Sequence, residues 1–121
     1  MKIKTSKLTD AALDWAVCEA TGLLAAYPRV RKGFALQWSS TGNRHLHPST
    51  DWSQGGPIIE REGYAIRKYG DFAETCWQAD DWQFRFANPK AVGPTPLIAA
   101  MRCYCASKLG DEVEIPEELA P

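Results

Sequence analysis

Tyr64-Ala65-Ile66-Arg67-Lys68, Thr75-Cys76-Trp77-Gln78-Ala79 and Trp82-Gln83-Phe84-Arg85-Phe86 alternate apolar and polar side chains across residues 64–86. A repeat of two residues is the signature of a half-buried strand, because successive side chains leave opposite faces of a pleated backbone. Gly70-Asp71 and Asp80-Asp81 supply turn chemistry between the three runs, which together predict a small antiparallel meander. On the last run Trp82, Phe84 and Phe86 share one face, as a core does. Asn88 to Pro94 reads as a loop.

The elements outside this stretch change period. Residues 95–110 begin with Thr95 as a cap and Pro96 at the first helical position, and Gly110 closes the run after Leu109. Its apolar face is Leu97, Ile98, Met101, Tyr104, Cys105 and Leu109. Ala99, Arg102, Cys103 and Ala106 lie opposite and permit close approach by another helix or a partner. A first helix follows Leu8, with Thr9 as N-cap, Asp10 in its first turn and Gly22 as its stop. Leu13, Ala16, Val17 and Ala20 form its apolar arc, and Trp15 stands off that arc, so a second element is expected to cover it. Phe34 to Trp38 reads as a short extended segment.

Residues 39–56 are rich in turn formers, and Pro57 suits the first position of a short helix over Ile58–Glu62 that stops at Gly63. The expected fold class is α+β: one domain of two long helices on a small antiparallel sheet, with a long ordered loop over one edge.

Composition narrows function more than it defines it. A chain of 121 residues with 45% hydrophobic and 24% charged residues is of ordinary globular type, and none of its apolar runs is long enough for a membrane span. Asp10 and Asp14 interrupt the segment after the basic start, which argues against a signal peptide. Residues 111–121 hold five acids and no base and read as a solvated tail, leaving 14 bases against 10 acids elsewhere. Cys18, Cys76, Cys103 and Cys105 show no zinc-type spacing and read as free, mostly buried thiols.

Chemistry-bearing residues concentrate in His47-Pro48-Ser49-Thr50-Asp51-Trp52-Ser53-Gln54-Gly55-Gly56-Pro57-Ile58-Ile59-Glu60. His45 and His47 could share a metal if the segment is extended, with a third ligand from Asp51 or a distant residue, but no recognisable three- or four-ligand set follows, and a surface loop with two histidines is the better reading. Gln54-Gly55-Gly56-Pro57 could form an anion nest, yet Asp51 is adjacent and no phosphate-loop ending follows. Asp51 and Thr50 are expected instead to bond the loop's own backbone. Asp51, Glu60 and Glu62 are the available acids or bases, with no nucleophile arrangement beside them. Arg29, Arg31, Lys32 and Arg44 near Trp38 and Trp52 resemble the mix used on single-stranded nucleic acids. The candidate binding residues are Arg44, Asp51, Trp52, Gln54, Gly55, Gly56 and Glu60; no cofactor, metal set or catalytic group is indicated.

Pro48-Ser49-Thr50-Asp51-Trp52, Gln54 to Gly63 and Pro94 to Tyr104 together resemble the NinX-like family of small phage and prophage proteins. Leu13 to Val17 and Lys108 to Pro116 share the likeness, while residues 23–44 and 67–93 carry less of it. The resemblance implies a phage-encoded accessory protein of the host cytoplasm and brings no catalytic residues. Its association with recombination keeps nucleic acid as a second partner class beside a host or phage protein, with a small-molecule enzyme third.

Overall fold

The structure is a computed structural model that describes residues 1–22, 37–38, 44–45, 47–69, 76–81, 91–115 and 117. In chain order these form β1 (Lys2–Lys4), a 3-10 turn (Thr5–Lys7), α1 (Asp10–Thr21), β2 (Gln37–Trp38) and β3 (Arg44–His45). There follow α2 (Trp52–Glu62), β4 (Tyr64–Tyr69), β5 (Cys76–Asp81), β6 (Ala91–Gly93), α3 (Pro96–Leu109) and β7 (Glu112–Glu114). The fold is α+β, with antiparallel pairing throughout.

The meander is present, in the order β4-β5-β6, but its strands are not all those expected. Asp80 and Asp81 are not a turn; they pair with Ala65 and Tyr64 inside β5. Asp80 is buried there, and Arg67 Nη2 lies 3.7 Å from its carboxylate, diagonally across the pair. That cross-strand cation lets an acidic dipeptide stay extended. The third strand is Ala91–Gly93, within the segment expected to be a loop. The Trp82–Phe86 run and the Gly70-Asp71 turn fall outside the described residues.

Helix α3 is the spine of the core. Thr95 caps it, its Oγ1 accepting the Ile98 amide at 3.1 Å, and Pro96 occupies its first turn. The small-residue back face is packed against, as expected of it: Ala99 and Cys103 are fully buried along with Leu97, Met101 and Tyr104. Small residues let α1 pack on one flank and the sheet on the other. Gly93 shows how tight this is, since a Cβ there would stand 2.9 Å from the Ala99 nitrogen.

Helix α1 is likewise covered on most sides. Trp15 is only 6% exposed, off the apolar arc as expected. It lines a groove together with Leu109 and the β7 residues Glu112, Val113 and Glu114, beside the two-stranded ribbon that β1 and β7 form. Lys2 faces Glu114 and Lys4 faces Glu112, with Ile3 opposite Val113 between them. The acidic tail forms a strand from Glu112 to Glu114, while Asp111, Glu112, Glu114 and Glu117 stay solvent-exposed, as the solvated reading expected. Thr9 holds the N-cap position of α1 without a side-chain bond. Asp10 takes φ 50°, so the first turn does not offer its amides in the usual cap geometry.

Candidate functional site

The largest departure from expectation is where α2 starts. Asp51, not Gly56, is the N-cap: its Oδ1 accepts the Ser53 amide at 2.9 Å and the Ser53 hydroxyl at 2.6 Å. The helix therefore runs through Gly55-Gly56-Pro57, and Pro57 lies inside it rather than at its first turn. Proline there has no N–H to return to the Ser53 carbonyl, and glycine is the natural residue before it, because a Cβ would crowd the ring in helical geometry. Strong capping offsets these costs.

The cap belongs to a wider brace. Gln54 Nε2 donates to Asp51 Oδ2 at 3.2 Å, and Gln54 Oε1 accepts the His47 amide at 2.6 Å. The His47 carbonyl in turn accepts the Thr50 and Asp51 amides at 3.0 and 2.8 Å. Residues 47–54 are closed on themselves by these bonds. Gly55 seats the assembly on the core, because any Cβ would collide with the Pro48 carbonyl and lie 2.6 Å from Leu97 Cδ1. Gly55 is a packing device, Gly56 meets only an ordinary contact with Trp52, and both lie inside α2 rather than in a loop ahead of it.

A second anchor comes from α1. Asp14, 4% exposed, accepts the Ser49 amide at 2.9 Å. His47 Nδ1 stands 3.8 Å from its other oxygen. Burial raises the Asp14 carboxyl above 3.8, opposed by hydrogen bonds from Ser49 and by the imidazole. This Asp14–His47–Ser49 grouping was not singled out in the sequence. The available signal was a carboxylate between Leu13 and Trp15, a position close enough to the apolar arc to be enclosed. It is a tether rather than a catalytic relay: what reaches Asp14 at close range is a main-chain amide, and the imidazole contact is longer than a hydrogen bond.

The sequence-derived site residues are thus distributed unevenly. Asp51 is occupied by its own helix end, as the self-bonding reading expected. Gln54 is half-buried and turned toward His47 and Asp51, and Gly55 is enclosed. Trp52 is 54% exposed at the first turn of α2, next to Gly56, and Glu60 is exposed on the same helix. Arg44 pairs with Trp38 in the β2–β3 register, which leaves their side chains outside the described residues. Among the described residues no group of histidine, cysteine and acidic side chains could hold a metal ion.

Behind this platform α2 is tied to α3. Arg61 Nη2 donates to the Tyr104 hydroxyl at 3.2 Å, and Lys108 Nζ lies 3.0 Å from Glu62. Those cations hold the Glu62 carboxyl below its usual 4.5, the Lys108 hydrogen bond being the main cause. Burial pushes the Tyr104 phenol up. The four side chains clamp the end of α2, so the exposed indole at its start is carried by a helix fixed at both ends.

No curated protein matches the chain. The model of the family described as bacteriophage P22 NinX matches residues 4–108, a span that holds α1, the braced segment, α2, the meander and nearly all of α3. The chain belongs to the bacteriophage P22 NinX family.

Proposed function

We propose that this phage protein is a non-enzymatic accessory factor that binds a host or phage protein through the start of α2, with Trp52 as the anchor. The supporting observation is an indole left 54% exposed on a helix end that Asp51, Ser53, Gln54 and Asp14 hold rigid. Tryptophan is enriched at binding hot spots, and a preorganised aromatic loses little side-chain freedom when covered. Gln54, Gly55 and Gly56 shape the platform, while Glu60, exposed on the same helix, serves as a polar contact beside the anchor. Truncating such an anchor costs about 2 kcal/mol, or roughly thirtyfold in affinity.

The test is co-purification from phage-infected cells. A stoichiometric protein partner is expected with the native chain and with the exposed-surface variant Lys68→Ala, and is lost with Trp52→Ala of unchanged circular dichroism. Equal recovery with Trp52→Ala, or no partner at all, overturns the reading.

A nucleic-acid role is the second reading, favoured by the register that sets Trp38 opposite Arg44. It requires binding to a single-stranded oligonucleotide that weakens steeply with salt. The absence of a complex at low salt removes it.

A further inference from the structure

Arg102 lies on the face of α3 away from the α2 platform, and its partners are unusual for a half-buried cation. Its Nε donates to the Leu8 carbonyl and its Nη1 to the Val92 carbonyl, both at 2.8 Å. These bonds fix the guanidinium between the start of α1 and β6. Both acceptors are neutral, and none of the described ion pairs includes Arg102. Burial alone moves its pKa, downward, with no acid acting in the opposite direction. A guanidinium carries five N–H groups, so three remain after these two bonds.

Arg102 also lines a cavity of about 620 Å³, between α3 and the segments that enter and leave the β1–β7 ribbon. This volume is in the range of small-ligand sites. Ala91 and Ala106 keep part of the wall apolar, while Lys4 and Ser6 add a second cation and a hydroxyl. Asp111 and Glu112 contribute two carboxylates, and Glu112 already faces Lys4 across the strand pair. Thr5, by contrast, is committed to the fold: its hydroxyl donates to the Gly110 carbonyl at 3.0 Å.

We propose that this cavity binds one carboxylate group, carried by a small molecule or by a peptide C-terminus, with Arg102 as the fork that grips it. The planar guanidinium matches a carboxylate two bonds at a time, a geometry lysine lacks. The two wall acids select against a second negative charge on the ligand, so a phosphate dianion fits worse than a carboxylate. The site is independent of Trp52.

The test is a nuclear magnetic resonance titration of the intact chain with N-acetylglycine, its neutral amide, inorganic phosphate, and a hexapeptide with a free or amidated C-terminus. Saturable shifts of the Arg102 Nε–H and of the Lys4, Ser6 and Glu112 amides are expected with a free carboxylate, at least about tenfold weaker with the amides or phosphate. Binding of N-acetylglycine assigns the site to a small molecule, and binding of the free-ended peptide alone assigns it to a chain terminus. Arg102→Lys keeps the charge and loses the fork, and weakens binding about tenfold or more. Lys4→Gln, on the exposed wall, weakens it about threefold without touching the Arg102 bonds. Trp52→Ala leaves it unchanged. Equal shifts with the amide probes, tighter binding of phosphate, or no saturable shift with either carboxylate overturns the proposal.

Discussion

Gly55 and Gly56 are neighbours in one helix, and substituting alanine at each should have different consequences. Alanine is favoured over glycine in a helix interior by about 1 kcal/mol, so propensity alone predicts that both substitutions stabilise α2. At Gly55 the new Cβ would collide with the Pro48 carbonyl and stand 2.6 Å from Leu97 Cδ1. Leu97 is buried, and Pro48 is followed by the Ser49 amide bound to Asp14, so neither neighbour gives way cheaply. Overpacking of this kind costs about 1–3 kcal/mol, and a backbone oxygen places it at the upper end. The net expectation for Gly55→Ala is a loss of about 2 kcal/mol. At Gly56 the nearest atom is Trp52 Cε3 at 3.8 Å, an ordinary contact. There the helical gain is offset by crowding against the ring of Pro57, which leaves the variant within about 0.5 kcal/mol of the native chain. Urea denaturation followed by circular dichroism separates the two, provided the denaturant slope is unchanged. A Gly55→Ala protein as stable as Gly56→Ala would refute the wedge between Pro48 and Leu97, and with it the seating of the platform.

Three further outcomes are expected. Because burial raises Asp14 in the folded state, the folded chain holds its proton at pH values where the unfolded chain has released it; this contribution favours folding below about 3.8 and fades as pH rises through the folded value. Asp14→Asn should therefore gain stability relative to the native chain as pH rises from 3.8, and an unchanged difference between acidic and neutral urea curves contradicts this. Glu62 has the opposite sign: its lowered pKa stabilises above 4.5 and is lost as pH falls through the folded value. Lys108→Gln should remove that small, salt-sensitive increment, and the check is the melting temperature at low and high ionic strength. Among the thiols, Cys18 is buried and pushed up to about 12, and Cys103 and Cys105 are buried as well, whereas Cys76 is half-buried. Native alkylation at mild pH should label Cys76 first, with the other three reacting only in denaturant, as read by intact mass.

Periodicity made the long elements legible. Thr95-Pro96 and Gly110 bracket α3 as written, Gly22 and Gly63 close α1 and α2, and the alternation from Tyr64 and from Cys76 marks paired strands. The failures lie where distant contacts override local chemistry. Asp80-Asp81 has turn composition, but Arg67 on the neighbouring strand balances Asp80. Gly55-Gly56-Pro57 looks like a helix breaker, but Asp51 caps the helix five residues before Gly56 and carries it through. Lys2-Ile3-Lys4 and Glu112-Val113-Glu114 alternate with opposite charges, a pairing signal visible in the sequence once the two ends are compared. Of the site, the self-capping of Asp51 followed from residue chemistry, whereas the exposure of Trp52 is visible only in the structure. The Asp14 tether did not, since a contact between α1 and residue 49 has no local signature.

The ribbon of β1 and β7 bears on how the chain is made. Met1 and Glu114, 113 residues apart, meet at 2.9 Å, and the Ile115 amide returns to the Met1 carbonyl. On a ribosome the first strand therefore emerges without its mate. At roughly 5–20 residues per second it waits on the order of ten seconds before residues 112–115 arrive. Until then β1 stays unpaired, with Ile3 lacking Val113 opposite it, so a nascent chain arrested short of that point should be recognised by chaperones, and synthesis through residue 115 should end that dependence.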